Sequence, residues 1–267
     1  MIEEIELFAA KVRLHCLEMT SRGKSSHIGS CLSSVDILSA LYKGVMNIDI
    51  SNPNYNERDR FIMSKGHAGA AVYATLAEMG YMDKSILKTH YMNGSNLSGH
   101  VSHHNVNGVE FSTGSLGHGL GVAVGRAYSL NLDGINARSY CLLSDGELDE
   151  GSNWEAMLFA NHMKLSNLCM IIDYNKIQAL SKLDDALPLK SLIKKFMAFN
   201  INCINVIDGH NFLHILKALG RKIVKNKPTA IIFNTIKGKG IKEFENDPVW
   251  HARKLQNNEL IIAKKRL

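Results

Sequence analysis

The chain reads as an α/β fold, a doubly wound parallel sheet with helices on both faces. Three observations predict it. Residues 139–143, 168–173, 202–207 and 229–234 are continuous or nearly continuous apolar runs, as strands buried on both faces require. Helical stretches near 151–165, 190–199 and 211–224 separate them, and strand–helix alternation builds a parallel sheet. The length of 267 residues, 45% hydrophobic with only 4 Pro, supports a substantial core without disordered tracts.

The elements follow in order. Ile2, Ile5, Phe8, Ala9, Val12 and Leu17 recur at near-helical spacing, which predicts an amphipathic helix over 2–19. Ser33 or Ser34 is placed to cap a second helix reaching about Met46, with Val35, Leu38 and Leu41 on one face. Residues 60–64 form a short strand candidate, and Gly66-His67-Ala68-Gly69 enters an Ala-rich helix ending near Gly80. Asp83 caps a short helix. Residues 92–115 then form a loop rich in Gly, Ser, Asn and His, of a length that is often functional. A helix over 116–130 opens with Gly117, Gly119 and Gly121, whose missing side chains permit close backbone approach. No linker or internal repeat interrupts the chain, which predicts one domain over 1–267.

Composition excludes several functions. The net charge is +6, but the basic residues are scattered and lack interleaved aromatic residues, which argues against nucleic acid. Attraction for phosphorylated small molecules explains the charge better, with Lys264-Lys265-Arg266 read as a solvated tail. The five cysteines form no Cys-x-x-Cys pair, and Cys141 and Cys169 fall within strands as buried thiols. The acidic start lacks a signal-peptide core, and no apolar run approaches the roughly 20 residues that cross a bilayer, so a cytoplasmic location is expected.

One spacing carries chemistry. Ser144-Asp145-Gly146 ends one strand, and Asp173-Tyr174-Asn175 ends the next after an intervening helix. Parallel strands joined this way bring their carboxyl ends side by side, where α/β folds bind ligands. Asp145 offers a carboxylate and Asn175 an amide oxygen, hard ligands suited to Mg²⁺, with other coordination positions left for phosphate oxygens. A lone Asp-Gly is an ordinary turn; the pair is far more specific. Of the 12 histidines, His27, His67 and His100 lie in Gly/Ser-rich segments rather than on apolar faces and His251 follows the Lys237-Gly-Lys-Gly loop, whereas His15, His162 and His214 sit on helices. No paired Cys and His at ligand spacing suggests zinc.

Read together, these segments resemble the transketolase family. Arg22-Gly-Lys-Ser-Ser-His27 is similar to its first Gly-His loop, and Asp59-Arg-Phe-Ile-Met-Ser-Lys-Gly-His67-Ala to its Ser-Lys-Gly-His segment. Ser98-Gly-His100, Gly108-Val-Glu-Phe-Ser-Thr-Gly114-Ser-Leu116-Gly117 and Lys237-Gly-Lys-Gly leading to His251 complete the set. The Asp145–Asn175 spacing is similar to the thiamine diphosphate signature. The resemblance runs over about residues 10–255 and covers only the first third or so of a full-length transketolase.

The resemblance implies the fold that holds the cofactor's diphosphate, a thiamine diphosphate cofactor, and Mg²⁺ (or Ca²⁺ or Mn²⁺) held by Asp145, Asn175 and the Ile177 carbonyl. Cofactor contacts would come from His67, Gly114, Leu116, Gly146, Glu150, Asn175 and His251, with Glu150 also at a dimer interface. His27, His67, His100 and His251 would serve catalysis at the donor hydroxyls. It also implies a separate carboxyl-terminal, pyrimidine-binding partner in an α₂β₂ enzyme that transfers a two-carbon ketol unit between sugars or sugar phosphates. Ser144 for Gly, Ile28 and Val101 for Pro, His118 for Gln and the added His103-His104 depart from the family pattern, and point toward a specialised donor or acceptor. The competing readings are the α chain of a thiamine-dependent 2-oxo acid dehydrogenase, deoxyxylulose-phosphate synthase and a non-catalytic assembly subunit.

Overall fold

The computed structural model describes residues 1–267. Its centre is a sheet of five parallel strands in the order β1-β2-β3-β5-β4: β1 (Arg60–Met63), β2 (Ser139–Ser144), β3 (Leu168–Tyr174), β4 (Asn202–Val206) and β5 (Thr229–Asn234). The helices are α1 (Ile2–Gly23), α2 (Ile28–Ala40), α3 (Gly69–Met79), α4 (Gly119–Leu132), α5 (Gly151–His162), α6 (Leu183–Ala186), α7 (Leu192–Ala198), α8 (Phe212–Leu219) and α9 (Asn257–Lys264).

Strand side chains alternate between two cores, because successive residues of a strand point to opposite faces. Cys169 and Ile171 of β3, with Ile231 and Phe233 of β5, pack against α1, α2, α3 and α8. Met170 and Ile172, with Ala230 and Ile232, pack against α4, α5 and α7. Both faces are therefore covered, which is why the strands read as unbroken apolar runs. Cys141 and Cys169 are buried free thiols, as their setting predicts.

The structure moves several boundaries. The second helix begins at Ile28 rather than at a serine cap, and Ser33 and Ser34 lie inside it. Small hydroxyl residues read as cap signals, but here they turn inward to the sheet: Ser33 Oγ donates to Asp173 Oδ2 at 2.6 Å and Ser34 Oγ to the Ser30 carbonyl at 3.0 Å. A π-helical turn (Leu41–Val45) then closes α2. α4 starts at Gly119 because Gly117 has left-handed backbone (φ 86°), which no helix continues through. α8 stops at Leu219, before the polar run 221–227. α9 lies beyond the elements the sequence predicts; a reciprocal cap between Gln256 and Glu259 starts it, and Lys264 pairs with Glu18 of α1 at 2.5 Å.

Beneath the carboxyl edge lies a buried ion pair. Lys65 follows β1 and Asp173 belongs to β3; Lys65 Nζ donates to Asp173 Oδ2 at 2.5 Å and to the Ser30 carbonyl of α2 at 3.1 Å. The Thr235 hydroxyl, just past β5, donates to the other carboxylate oxygen. Burial alone raises the Asp173 carboxyl, but the Lys65 charge and these hydroxyls outweigh it and hold it below the usual range. Removing one partner of such a pair leaves a buried charge uncompensated. Lys65→Ala is expected to destabilise the chain by about 3–5 kcal/mol in urea unfolding. A loss below about 1 kcal/mol, the range of an exposed pair, would show that the pair does not anchor the edge.

Candidate active site

The carboxyl ends of β1, β2 and β3 and the segment after β5 enclose a cleft of about 280 Å³. Four imidazoles converge in it. The His27 ring lies 5.2 Å from that of His67, 5.6 Å from that of His100 and 4.9 Å from that of His251. His67 and His251 are 5.3 Å apart. Residues separated by up to 224 positions in the chain thus form one cluster, the arrangement that the family resemblance implies.

Main-chain geometry aims each ring. His27 holds left-handed backbone (φ 72°) ahead of α2, and its N–H donates to the His251 carbonyl at 3.0 Å. The Val101 N–H donates to the Gly66 carbonyl at 2.9 Å and the Thr113 N–H to the Val101 carbonyl at 3.1 Å, stacking the His67, His100 and Gly114 segments. A Cβ on Gly66 would come within 2.4 Å of Thr113 main-chain atoms, so only glycine allows this stacking. The Tyr73 hydroxyl donates to the His100 carbonyl at 2.8 Å.

Burial and charge keep three of the imidazoles, His27, His67 and His251, uncharged. Burial, then the positive neighbours, pushes His27 down to about 4 and His251 to about 3, and carries His67 well below its ordinary value. Lys237 supplies part of that field. Its Nζ donates to the carbonyls of Ile177 (3.1 Å) and Gln178 (3.0 Å) and to His251 Nδ1 (3.1 Å). Three ammonium hydrogens meet three acceptors, which leaves the His251 proton on Nε2. Burial, then Lys65, lowers Lys237 to about 8, so it stays cationic at neutral pH.

Asp145 lines the same cleft and is buried without a cationic hydrogen-bond partner. Its Oδ1 accepts from Gly146 N–H at 2.8 Å and its Oδ2 from Lys176 N–H at 2.5 Å. Burial and then nearby Asp173 push its carboxyl up to about 7. Asn175 and Ile177 line the cleft as well, the Asn175 Oδ1 accepting from Ile177 N–H at 3.1 Å. No group of three or more His, Cys, Asp or Glu side chains is arranged to hold a metal ion; the donors here are one carboxylate, one amide and one carbonyl. Gly114, Leu116 and Gly146 also reach the cleft, and Gly146 faces the Gln178 side chain, 3.1 Å from where its Cβ would stand. Glu150 does not line the cleft; it sits at the start of α5 beside Gly117. Sequence reasoning passes over Ser30, Lys65, Gln178 and Lys237 as site residues. Both lysines stand inside the family-like motifs, and a cation at a strand end in an otherwise apolar or Gly-rich segment is the available signal.

A cleft with two buried ammonium groups, neutral imidazoles and an uncompensated carboxylate defines an α/β chain built for a polyanionic ligand with a cation. Residues 5–267 match the family described as transketolase, thiamine diphosphate binding domain, and the chain belongs to that family. It is 38% identical over 266 residues to an apulose-4-phosphate transketolase subunit of Actinobacillus succinogenes, covering 99% of this chain and 96% of that one. It is 39% identical to a 6-deoxy-6-sulfo-D-fructose transketolase subunit of a Clostridium species, covering 91% of this chain and 89% of that one. Human transketolase is 38% identical over 94% of this chain but only 40% of its own length. The solved transketolase of Leishmania mexicana superposes with a TM-score of 0.91 at 30% identity, covering 98% of this chain and 41% of that one. The chain thus spans about two-fifths of the length of these single-chain transketolases.

The field in the cleft yields a direct check. His27 and His251 are expected to titrate in NMR near pH 4 and 3 rather than near 6.5. The unfolded chain then binds more protons in the window between, so stability falls as pH drops below about 6.5 toward 4. Titration of both rings near 6.5 would contradict the buried, cation-flanked cluster.

Proposed function

We propose that this chain is the diphosphate-binding subunit of a two-subunit transketolase, working in the cytoplasm and moving a two-carbon ketol unit from a ketose or ketose phosphate to an aldose. The observation that carries the reading is joint: four converging imidazoles over the Asp145–Asn175 wall, in a chain aligned almost end to end with relatives named as separate transketolase subunits. The partner would be a pyrimidine-binding subunit, with the pair arranged as α₂β₂. The family match favours this reading over a 2-oxo acid dehydrogenase α chain. Retention of all four histidines with Asp145 and Asn175 favours a catalytic chain over an assembly-only one.

Mg²⁺ fits the donor set, because Asp145 is a buried carboxylate that accepts only from main-chain N–H groups, with no cation bonded to it, and hard oxygen donors flank it. Asp145, Asn175 and the Ile177 carbonyl would hold it. Thiamine diphosphate, when bound, supplies an electron sink for carbon–carbon cleavage. The chain's residues do the rest. Lys65 and Lys237 provide positive potential toward the diphosphate, and Gly114, Leu116 and Gly146 let the backbone come close. His27, His67 and His251, held neutral at pH 7, can each donate and accept a proton at sugar hydroxyls, and His100 joins them at the mouth of the cleft. Lys237 holds His251 with Nε2–H available, and Glu150 lies where a second copy would meet the site.

The metal assignment can be tested at one residue. In calorimetry on the enzyme assembled with its partner, Asp145→Ala is expected to weaken Mg²⁺-dependent thiamine diphosphate binding more than about 100-fold, beyond the loss of an outer-shell group. Unchanged affinity would remove Asp145 from the cation site.

A further inference from the structure

The cleft-lining residues do not explain what fixes the Gly114–Gly117 loop against the strand ends. Glu147 does not line the cleft and is fully buried, yet its carboxylate gathers donors from three separate segments. Oε1 accepts from the Ser64 hydroxyl at 2.5 Å and from Gly117 N–H at 2.9 Å. Oε2 accepts from Ser144 N–H at 3.3 Å. Ser64 immediately precedes Lys65, Ser144 precedes Asp145, and Gly117 follows Leu116.

Two further bonds brace the same knot. Asn153 Nδ2 of α5 donates to the Glu147 carbonyl at 2.6 Å, and the Ser152 hydroxyl donates to the Gly117 carbonyl at 2.9 Å. The loop is pressed close. A Cβ on Gly119 would stand 2.4 Å from Ser64 Oγ, and one on Gly117 2.5 Å from Ser152 Oγ. No Lys, Arg or His forms an ion pair with Glu147. A buried carboxylate without a counter-ion is costly unless hydrogen bonds satisfy it, and a hydroxyl and two main-chain N–H groups do so here.

The structure assigns Glu147 as a positioning residue that ties the Gly114–Gly117 loop, the Lys65 segment and the Asp145 segment into one rigid cofactor wall. Its role is to set cofactor affinity through the loop rather than to touch ligand. An amide cannot replace it. Glutamine keeps the shape, but one of its two groups is an NH₂ that must face either Gly117 N–H or Ser144 N–H, donor against donor. The main-chain bond from Asn153 survives that change, so the variant removes the carboxylate's function while sparing the local turn.

The role rests on the family's cofactor, and its test includes a readout that needs none. Glu147→Gln and Ser64→Ala are compared with wild type, as the assembled enzyme, by amide hydrogen exchange without cofactor, by calorimetry with thiamine diphosphate and Mg²⁺, and by turnover at saturating cofactor. Glu147→Gln is expected to speed exchange over 113–119 and to weaken cofactor affinity about tenfold each, the scale of one hydrogen bond to a charged group. Turnover at saturation is expected to stay within about threefold, since no reacting group is lost. Ser64→Ala is expected to shift exchange and affinity in the same direction by less, and to add little on top of Glu147→Gln, as members of one network do. A Glu147→Gln enzyme that melts lower but keeps wild-type exchange and affinity would reduce Glu147 to a stability residue and overturn the assignment. If that variant does not fold, Ser64→Ala decides on the same two readouts. Wild-type enzyme that binds no thiamine diphosphate would contradict the cofactor reading, while exchange at 113–119 still decides the role of Glu147.

Discussion

The contact between Lys65 and Asp173 is the constraint on which the cleft depends. It joins the end of β1 to β3 and, through Ser30 and Ser33, seats α2 on the sheet; Thr235 brings in the end of β5. His67 follows Lys65 by two positions, Asn175 follows Asp173 by two, and Lys237 follows Thr235 by two. Each segment that leaves this buried knot therefore delivers a cleft residue within one or two peptide units. The pair's contribution to net stability is modest against well-packed apolar residues, so its value lies in fixing where these segments stand.

The same knot sets the electrostatics. Burial and two nearby ammonium groups keep the rings of His27, His67 and His251 neutral, which preserves their ability both to give and to take a proton near pH 7. The positive field that suppresses imidazolium also attracts a diphosphate. In the same cleft, burial and nearby Asp173 disfavour the Asp145 charge, and Lys65 is committed to Asp173. A divalent cation at Asp145, as proposed above, would relieve that imbalance, which would make cofactor and metal complementary demands of one charge arrangement.

Much of this is legible in the sequence because the signals are local. Apolar strand runs, the Asp-Gly and Asn at successive strand ends and histidines in Gly-rich segments all depend on near neighbours in the chain. What escapes reading depends on distant partners. Ser33 and Ser34 carry a cap signature, but their hydroxyls answer to Asp173 about 140 positions away. Glu147 reads as an ordinary acidic residue in a turn until Ser64 and Gly117 are seen donating to it. Lys237 looks like one lysine in a basic loop, and only the fold reveals its three acceptors. Glu150, expected as a cofactor contact, lies outside the cleft because the turn after Gly146 carries it to the start of α5.

The cleft supplies one wall, with groups suited to a diphosphate, a cation and sugar hydroxyls. Ring activation of thiamine needs a carboxylate facing the pyrimidine, and in the proposed function that group belongs to the partner chain. The central claim is therefore a division of labour between two chains, and reconstitution tests it most directly. Ketol transfer is measured with this chain alone, with the purified pyrimidine-binding partner alone, and with the two mixed, each with thiamine diphosphate and Mg²⁺. Divided labour predicts background rates for each chain by itself and transfer on mixing; sustained transfer by this chain alone would contradict it.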